Sequence, residues 1–143
     1  MSNEDKGKIY EKIVSKELEG LSSRIQGFAW HRLPDAKASR NFISAQPSDM
    51  VVIYKGVTTW LEIKSTMNPT RLPKAKVSQW GTLYKFHLAG ANVVVLVYQS
   101  AHKHWVYLTN GDLFSSEDCP ASFVLTGRKS FSTAAEALQE IFQ

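Results

Sequence analysis

The chain has 143 residues, of which 43% are hydrophobic and 21% charged, a composition typical of a globular domain rather than a disordered or fibrous protein. We expect one domain over residues 1–143. Lys and Arg outnumber Asp and Glu by 17 to 13, a modest basic surplus. The single cysteine, Cys119, excludes an internal disulfide and a cysteine-rich zinc site. The sequence shows neither an apolar run of membrane-spanning length nor a signal peptide, so we expect a cytoplasmic protein without a membrane partner.

The N-terminal third predicts a helix, a strand and a loop. Residues 6–21 have the periodicity of an amphipathic helix. Residues 26–32 predict a short strand with Phe28 and Trp30 on one face, and the polar, basic segment 34–46 is interpreted as a loop or arm. The apolar stripe of the helix comprises Ile9, Tyr10, Ile13, Val14, Leu18 and Leu21.

A hairpin is predicted next. Residues 50–54 (MVVIY) and 57–63 (VTTWLEI) are β-branched and aromatic runs. Lys55-Gly56 between them suits a two-residue turn with positive φ. This turn sets which residues of the two strands face each other.

The predicted register brings three charged side chains to one face. Asp49 lies opposite Glu62, with Cβ atoms about 5 Å apart, and Lys64 is two residues beyond Glu62. Opposed like charges are destabilising unless a cation lies between them. Mg²⁺ is the expected cation, because it binds through one or two carboxylates plus substrate phosphate oxygens. The set therefore indicates a metal-dependent phosphodiesterase; the alternative is a solvent-facing strand end with incidental charges.

Helix and strand patterns alternate in the rest of the chain. Two prolines make residues 67–73 a turn-rich segment. Residues 74–89 predict a helix that stops at Gly90. The apolar run 92–98 predicts a strand buried on both faces, and residues 105–109 a further strand.

The C-terminal part predicts smaller elements. Asn110-Gly111 is interpreted as a turn and residues 123–126 as a short edge strand. The capping box at 133–136 predicts a last helix through residue 142. The complete order is α-β-β-β-α-β-β with a C-terminal helix, which indicates an α/β fold with a mixed β-sheet flanked by helices.

Two further polar residues are candidates. On the predicted helix, Gln79 falls with Leu83 and Phe86 on an apolar face; its amide oxygen could bind a hard metal ion or position water, or it could be a core glutamine satisfied by the backbone. Glu11 lies at the edge of the first helix's stripe, about 100° from its centre, where it could border a cleft. Salt-bridged surface glutamates are nevertheless far commoner.

Basic residues gather on both sides of the carboxylates. They could neutralise the phosphates of a nucleic acid, although charge runs are usually a solvated surface. These residues are Lys37, Arg40, Arg71, Lys74 and Lys76.

The histidines and nucleophile motifs carry less information. The four histidines show no metal-ligand spacing, and no nucleophile motif is present, so a triad hydrolase is not expected. His102 and His104 are interpreted as loop residues.

The ordered motifs resemble those of a known nuclease superfamily. Asp49 followed by Glu62-Ile63-Lys64 resembles the PD-(D/E)xK nucleases, whose core is restriction-endonuclease-like. More narrowly, residues 6–109 resemble the RecU-type and phage-type Holliday junction resolvases. The narrower match consists of KGKIYE at 6–11, Asp49 through Gly56, Glu62-Ile63-Lys64, the loop to Pro73, and Gln79 with Gly90 and the following strand.

The resemblance implies a role for each matched residue. Asp49 and Glu62 would be metal ligands, joined by Gln79 and by the Ile63 backbone carbonyl, and Lys64 would stabilise the transition state. Glu11 would be the acid of the first helix. Pro47 departs from the pattern, because the family can place a hydroxyl there.

The implied protein is a homodimer that uses one or two Mg²⁺ ions per site, with Mn²⁺ as a substitute, to nick two opposed strands of a four-way DNA junction. A bacterial or phage-infected cell is the expected setting. Residues after about 110 match no pattern in the family.

Two alternatives stay open on the sequence. The same motif fits a restriction-like or repair nuclease acting on duplex, nicked or mismatched DNA, because it reports chemistry rather than substrate. A chain of another class, a non-catalytic DNA-binding module, would use exposed residues such as Trp80, Lys76 and Lys103.

Overall fold

The computed structural model describes residues 3–34 and 46–143. A short 3₁₀ helix (Lys74–Lys76) accompanies the main elements. In chain order these are α1 (Asn3–Arg24), β1 (Phe28–Arg32), β2 (Met50–Tyr54), β3 (Val57–Thr66), β4 (Arg71–Pro73), α2 (Trp80–Leu88), β5 (Asn92–Gln99), β6 (His104–Leu108), α3 (Asn110–Leu113), β7 (Ser122–Val124) and α4 (Ala134–Ile141).

A mixed sheet of five strands, ordered β1-β2-β3-β5-β6, forms the centre of the described chain. The β3–β5 pair is parallel, with α2 in the connection between these strands, and the other three pairs are antiparallel. The predicted α/β fold with a mixed sheet flanked by helices is therefore confirmed. A second, two-stranded sheet joins β4 to β7.

The predicted hairpin is present. Lys55 and Gly56 both have positive φ, at 53° and 76°, which is the conformation of a type I′ turn and matches the twist of the flanking strands. The register pairs Met50 with Leu61 and Tyr54 with Val57, as the sequence predicts.

Hydrophobic residues fill both faces of the sheet. One cluster joins α1 and α4 to the sheet through residues such as Leu18, Leu61 and Leu138, all fully buried. The other lies under α2 and includes Leu83 and the inner face of β5. The predicted Thr133 cap of α4 is confirmed, since its hydroxyl accepts a hydrogen bond from the Glu136 amide.

The first helix and its stripe differ from the prediction. α1 continues past Gly20 to Arg24, because its packing on the sheet outweighs the weak helix propensity of glycine. Ile9 and Ile13 are each 41% exposed. Only the residues of the stripe that face the sheet and α4 are buried.

The prediction for residues 74–89 is wrong at its start. The α-helix begins only at Trp80; residues 74–76 form the 3₁₀ turn, and residues 77–79 belong to neither helix. Gly90 follows the helix with a φ of 97°, so the predicted stop is confirmed.

Three smaller predictions also differ. Residues 71–73 form β4 despite the prolines, since the strand is short and its pairing to β7 is brief. Asn110 opens α3 instead of a turn, and its side chain accepts from the Val93 amide. His104 begins β6 rather than lying in a loop.

No helix in the described part of the chain is both long and apolar enough to cross a membrane.

Candidate active site

A cleft of about 220 Å³ opens where β2 begins and β3 nears its end. Five of its lining residues are charged: three carboxylates and two cations. The lining consists of Glu11, Arg32, Leu33, Pro34, Gln46, Ser48, Asp49, Glu62, Lys64, Ser78 and Gln79.

Asp49 is held by the backbone of the neighbouring strand. Its Oδ2 accepts a hydrogen bond from the Ile63 amide at 2.7 Å. Burial is the main cause that raises the pKa of Asp49 to about 7, and the carboxyl of Glu62 beside it raises it further. The Ile63 N–H acts in the opposite direction, because it stabilises the ionised form.

Glu62 and Lys64 form a partly buried ion pair on the same face. Glu62 is only 6% exposed. Its Oε1 lies 3.5 Å from the Lys64 Nζ. The side chain of Lys64 keeps 26% of its surface accessible, so its cation remains open to a ligand in the cleft. The sequence-derived register thus brings Asp49, Glu62 and Lys64 together.

Glu11 reaches the cleft from α1. Its Oε2 accepts from the Arg32 guanidinium at 3.3 Å. Burial, followed by a hydrogen bond and charge repulsion with Asp49, raises the pKa of Glu11 to about 7. Arg32 and Lys64 oppose that rise. Glu11 is therefore a cleft residue rather than an isolated surface glutamate.

Gln79 also lines the cleft, but for a different reason than predicted. It is the residue before α2 rather than a member of a helical apolar face, and its side chain does not cap the helix. It is half-buried. Gln79 lies in the non-helical stretch 77–79 that joins the 3₁₀ turn to α2, so the helical projection placed it in the wrong local structure, and its metal-binding role stays a prediction.

Several cleft residues were not predicted. The hydroxyl of Ser48, which is 5% exposed, donates to the Met50 carbonyl at 2.8 Å. Arg32 could have been found from the β1–β2 pairing, since it lies opposite Met50, next to Asp49. Gln46 and Ser78 carried no sequence signal. None of the four histidines, all within the described residues, lines the cleft.

The predicted nucleic-acid contacts are only partly within the described chain. Lys37 and Arg40 lie outside it. The other three, Arg71, Lys74 and Lys76, are exposed on β4 and the 3₁₀ turn, just before the cleft residue Ser78.

Trp80 cannot serve as an exposed base-stacking residue. It is 9% exposed, its indole N–H donates to the Leu113 carbonyl at 2.9 Å, and its ring stacks on Tyr84. Trp80 is therefore not available for the base contacts that were expected of it in a non-catalytic DNA-binding module.

The donor set of the cleft suits a hard cation. It contains carboxylate and amide oxygens, and the raised pKa values of Asp49 and Glu11 show that ionising all the acids together is unfavourable without a counter-charge. In the described residues, no three Asp, Glu, His or Cys side chains form a metal cluster by themselves. A metal would thus need Gln79, a backbone carbonyl or substrate oxygens in addition to the acids.

Comparison with known proteins supports the architecture. No family model matches the sequence, and no curated protein matches it. The fold is restriction-endonuclease-like. A similar solved structure is Hjc from Archaeoglobus fulgidus, described as a Holliday junction resolvase from an archaeal hyperthermophile, with a TM-score of 0.55 and 20% sequence identity. The match covers 92% of this chain and 98% of that one.

Proposed function

We propose that this protein is a metal-dependent endodeoxyribonuclease of the PD-(D/E)xK superfamily that resolves four-way DNA junctions by paired nicks. The observation that carries the proposal is the cleft in which Asp49, Glu62 and Lys64 meet on one face of the β2–β3 hairpin. The fold shared with a solved junction resolvase supports the choice of substrate.

The acids and the amide oxygen of the cleft would hold the metal. Asp49 and Glu62 would bind one or two Mg²⁺ or Mn²⁺ ions, with Gln79 and the Ile63 carbonyl as further oxygen donors. A bound divalent ion supplies a water nucleophile near neutral pH and neutralises charge on the scissile phosphate.

The chain's own residues position and stabilise the reacting groups. Lys64, paired at 3.5 Å with Glu62, would place its ammonium against the phosphate as negative charge develops. The Ile63 amide holds the Asp49 carboxylate in place. Arg32 fixes Glu11, which contributes a further acid at the edge of the cleft.

Paired incision leads us to propose a homodimer as well. A two-fold dimer presents two identical clefts to symmetric strands, which is what a four-way junction requires. The narrower resemblance to RecU-type and phage-type resolvases, and with it the bacterial or phage setting, stays a prediction.

The decisive experiment compares a four-way junction with a linear duplex of the same sequences, in Mg²⁺ and separately in Mn²⁺. We expect rapid cleavage of the junction, nicks at symmetric positions on two opposed strands, and no cleavage in EDTA. Equal rates on both substrates would favour a restriction-like or repair nuclease instead. Binding without cleavage in either metal would favour the non-catalytic DNA-binding module.

A further inference from the structure

The most exposed large hydrophobic side chain in the described residues is Met67, three positions beyond Lys64. It is 78% exposed, more than Leu88 at 66% or Val57 at 51%. A single exposed apolar residue is common on protein surfaces. The setting of Met67 is what makes it informative.

Met67 lies on a segment that leaves the cleft and returns to it. Lys64 and Ser78 both line the cleft, and we call residues 65–77 between them the rim segment. Three residues of extended chain separate Lys64 from Met67 by about 10 Å. That distance corresponds to roughly three base steps of 3.4 Å along a DNA strand.

Side-chain hydrogen bonds hold the backbone of the loop around Met67. The Asn68 side chain accepts from the backbone amides of Thr70 at 3.0 Å and Arg71 at 2.9 Å. The Thr66 hydroxyl accepts a hydrogen bond from the backbone N–H of Asn68 at 3.1 Å. Met67 is thus held between two residues whose backbone and side chains are fixed.

A second set of contacts fastens the same loop to the β5–β6 turn. The carbonyl of Pro69 accepts from the Gln99 side-chain amide at 3.0 Å and from His102 Nε2 at 2.8 Å. The Gln99 oxygen then accepts from His104 Nε2 at 2.8 Å. We call Gln99, His102 and His104 the latch.

The latch is itself well ordered. Gln99 is 2% exposed, and the two imidazole rings stack with centroids 5.1 Å apart. Each acceptor oxygen requires an N–H at the Nε2 of the imidazole that faces it. Burial, together with the neighbouring His102, lowers the pKa of His104.

The two chain segments that hold Met67 contain cations and no acid. Residues 65–77 and the turn at 99–104 contain no Asp or Glu. Their cations are Arg71, Lys74, Lys76 and Lys103, all exposed. An exposed apolar side chain on a segment rich in cations complements stacked bases within a phosphate backbone.

We propose that Met67 is a preformed wedge that inserts between bases of the DNA strand lying in the cleft, and that the latch holds it in position. This inference rests on the proposed nuclease function and adds how the strand is distorted near the cut. Ordering the backbone of the loop costs little on binding, because hydrogen bonds already hold it in the free protein. A second copy of the chain is a less suitable occupant, since like-charged surfaces would face each other.

The experiment uses Met67→Ala and Met67→Leu, with Leu88→Ala as a matched control on an exposed apolar residue at the far end of α2. A four-way junction carries a fluorescent base analogue near the mapped nick. Fluorescence on binding in EDTA reports unstacking, single-turnover cleavage in Mg²⁺ reports the rate, and sedimentation reports the oligomeric state.

Met67→Ala should lose the fluorescence change and cleave about tenfold more slowly or worse, because a buried methionine contact is worth roughly one such factor. Met67→Leu and Leu88→Ala should behave as the unmodified protein. His102→Ala, which loosens the exposed end of the latch, should show an intermediate rate and fluorescence change.

Three results would overturn the wedge. The first is an unchanged fluorescence response and rate in Met67→Ala while the native protein cleaves. The second is a rate loss that accompanies dissociation of a dimer, which would assign Met67 to a subunit interface. The third is a Leu88→Ala defect equal to that of Met67→Ala. Failure of the native protein to cut any DNA would instead remove the proposed function itself.

Discussion

The cleft and the adjacent latch differ in how well their polar groups are paired with one another. In the cleft, Glu11, Asp49 and Glu62 are crowded together, and the pKa values of the first two are raised to about 7. In the latch, Gln99 and His104 form a direct hydrogen bond. A region whose charges conflict in the free protein is suited to receive a ligand, whereas a region whose polar groups are satisfied is suited to hold a shape.

The largest expected effect comes from removing the cation of the cleft. Lys64→Ala should lower single-turnover junction cleavage about 10²- to 10³-fold, because the charge that stabilises the developing negative phosphate is lost. Junction binding should change little. The matched control is Lys85→Ala on the exposed face of α2, which should keep full activity. If Lys64→Ala cleaves the junction at a rate close to that of the unmodified protein, Lys64 does not take part in the mechanism.

Breaking the latch at its buried centre should destabilise the fold. Gln99→Ala leaves the His104 N–H and part of the Pro69 carbonyl unpaired, which we expect to cost about 2 to 3 kcal/mol. Denaturant unfolding monitored by tryptophan fluorescence measures this loss. His102→Ala, at the exposed end of the latch, should lower the free energy of unfolding by less than about 1 kcal/mol. Equal losses in the two variants would mean that the buried Gln99 amide contributes no more to stability than the exposed imidazole does.

The acids of the cleft should make the metal-free protein less stable as the pH rises. The unfolded Asp49 carboxyl ionises near its ordinary pKa of 3.8, and the folded one only near 7, so stability from this group is present below about pH 4 and lost up to about pH 7. Glu11 acts in the same direction. Unfolding in EDTA at about pH 5 and about pH 8 should show the difference, on the order of 2 to 3 kcal/mol from Asp49 alone.

The variant Asp49→Asn separates this effect from the other titrating groups. Its metal-free form should lose less stability between the two pH values than the unmodified protein does. Added Mg²⁺ should stabilise the unmodified protein more at the higher pH, since binding needs ionised carboxylates. Equal pH dependence in both proteins would show that Asp49 has no raised pKa.

The smallest expected effect concerns a single cation of the rim segment. Arg71→Ala should weaken junction binding about two- to threefold and reduce the slope of log affinity against log salt by about one, as expected for the loss of one phosphate contact. The control is Arg24→Ala, an exposed arginine at the C-terminal end of α1. If Arg71→Ala leaves this slope unchanged, the DNA does not pass over β4.

Prediction from sequence was strongest where interactions are local. Lys55-Gly56 and the strand runs around it are sufficient to predict the hairpin register, because a two-residue turn with positive φ admits few alternatives. The capping box at Thr133 succeeded for the same reason. Helical periodicity failed at residues 74–79, where the Lys74 backbone N–H donates to the Ala121 carbonyl and so continues the β4–β7 pairing instead of opening a helix.

The sequence by itself determined that Asp49, Glu62 and Lys64 share one face, since the alternation of side chains along a strand and one tight turn decide it. Only the tertiary structure decided that Glu11 and Gln79 join them, because their positions depend on how α1 packs on the sheet and where α2 begins. The same holds for the latch, whose His102 binds the Pro69 carbonyl of the rim segment, 33 residues away in the sequence. Contacts between distant parts of a chain follow from the packing of whole elements, which no local pattern specifies.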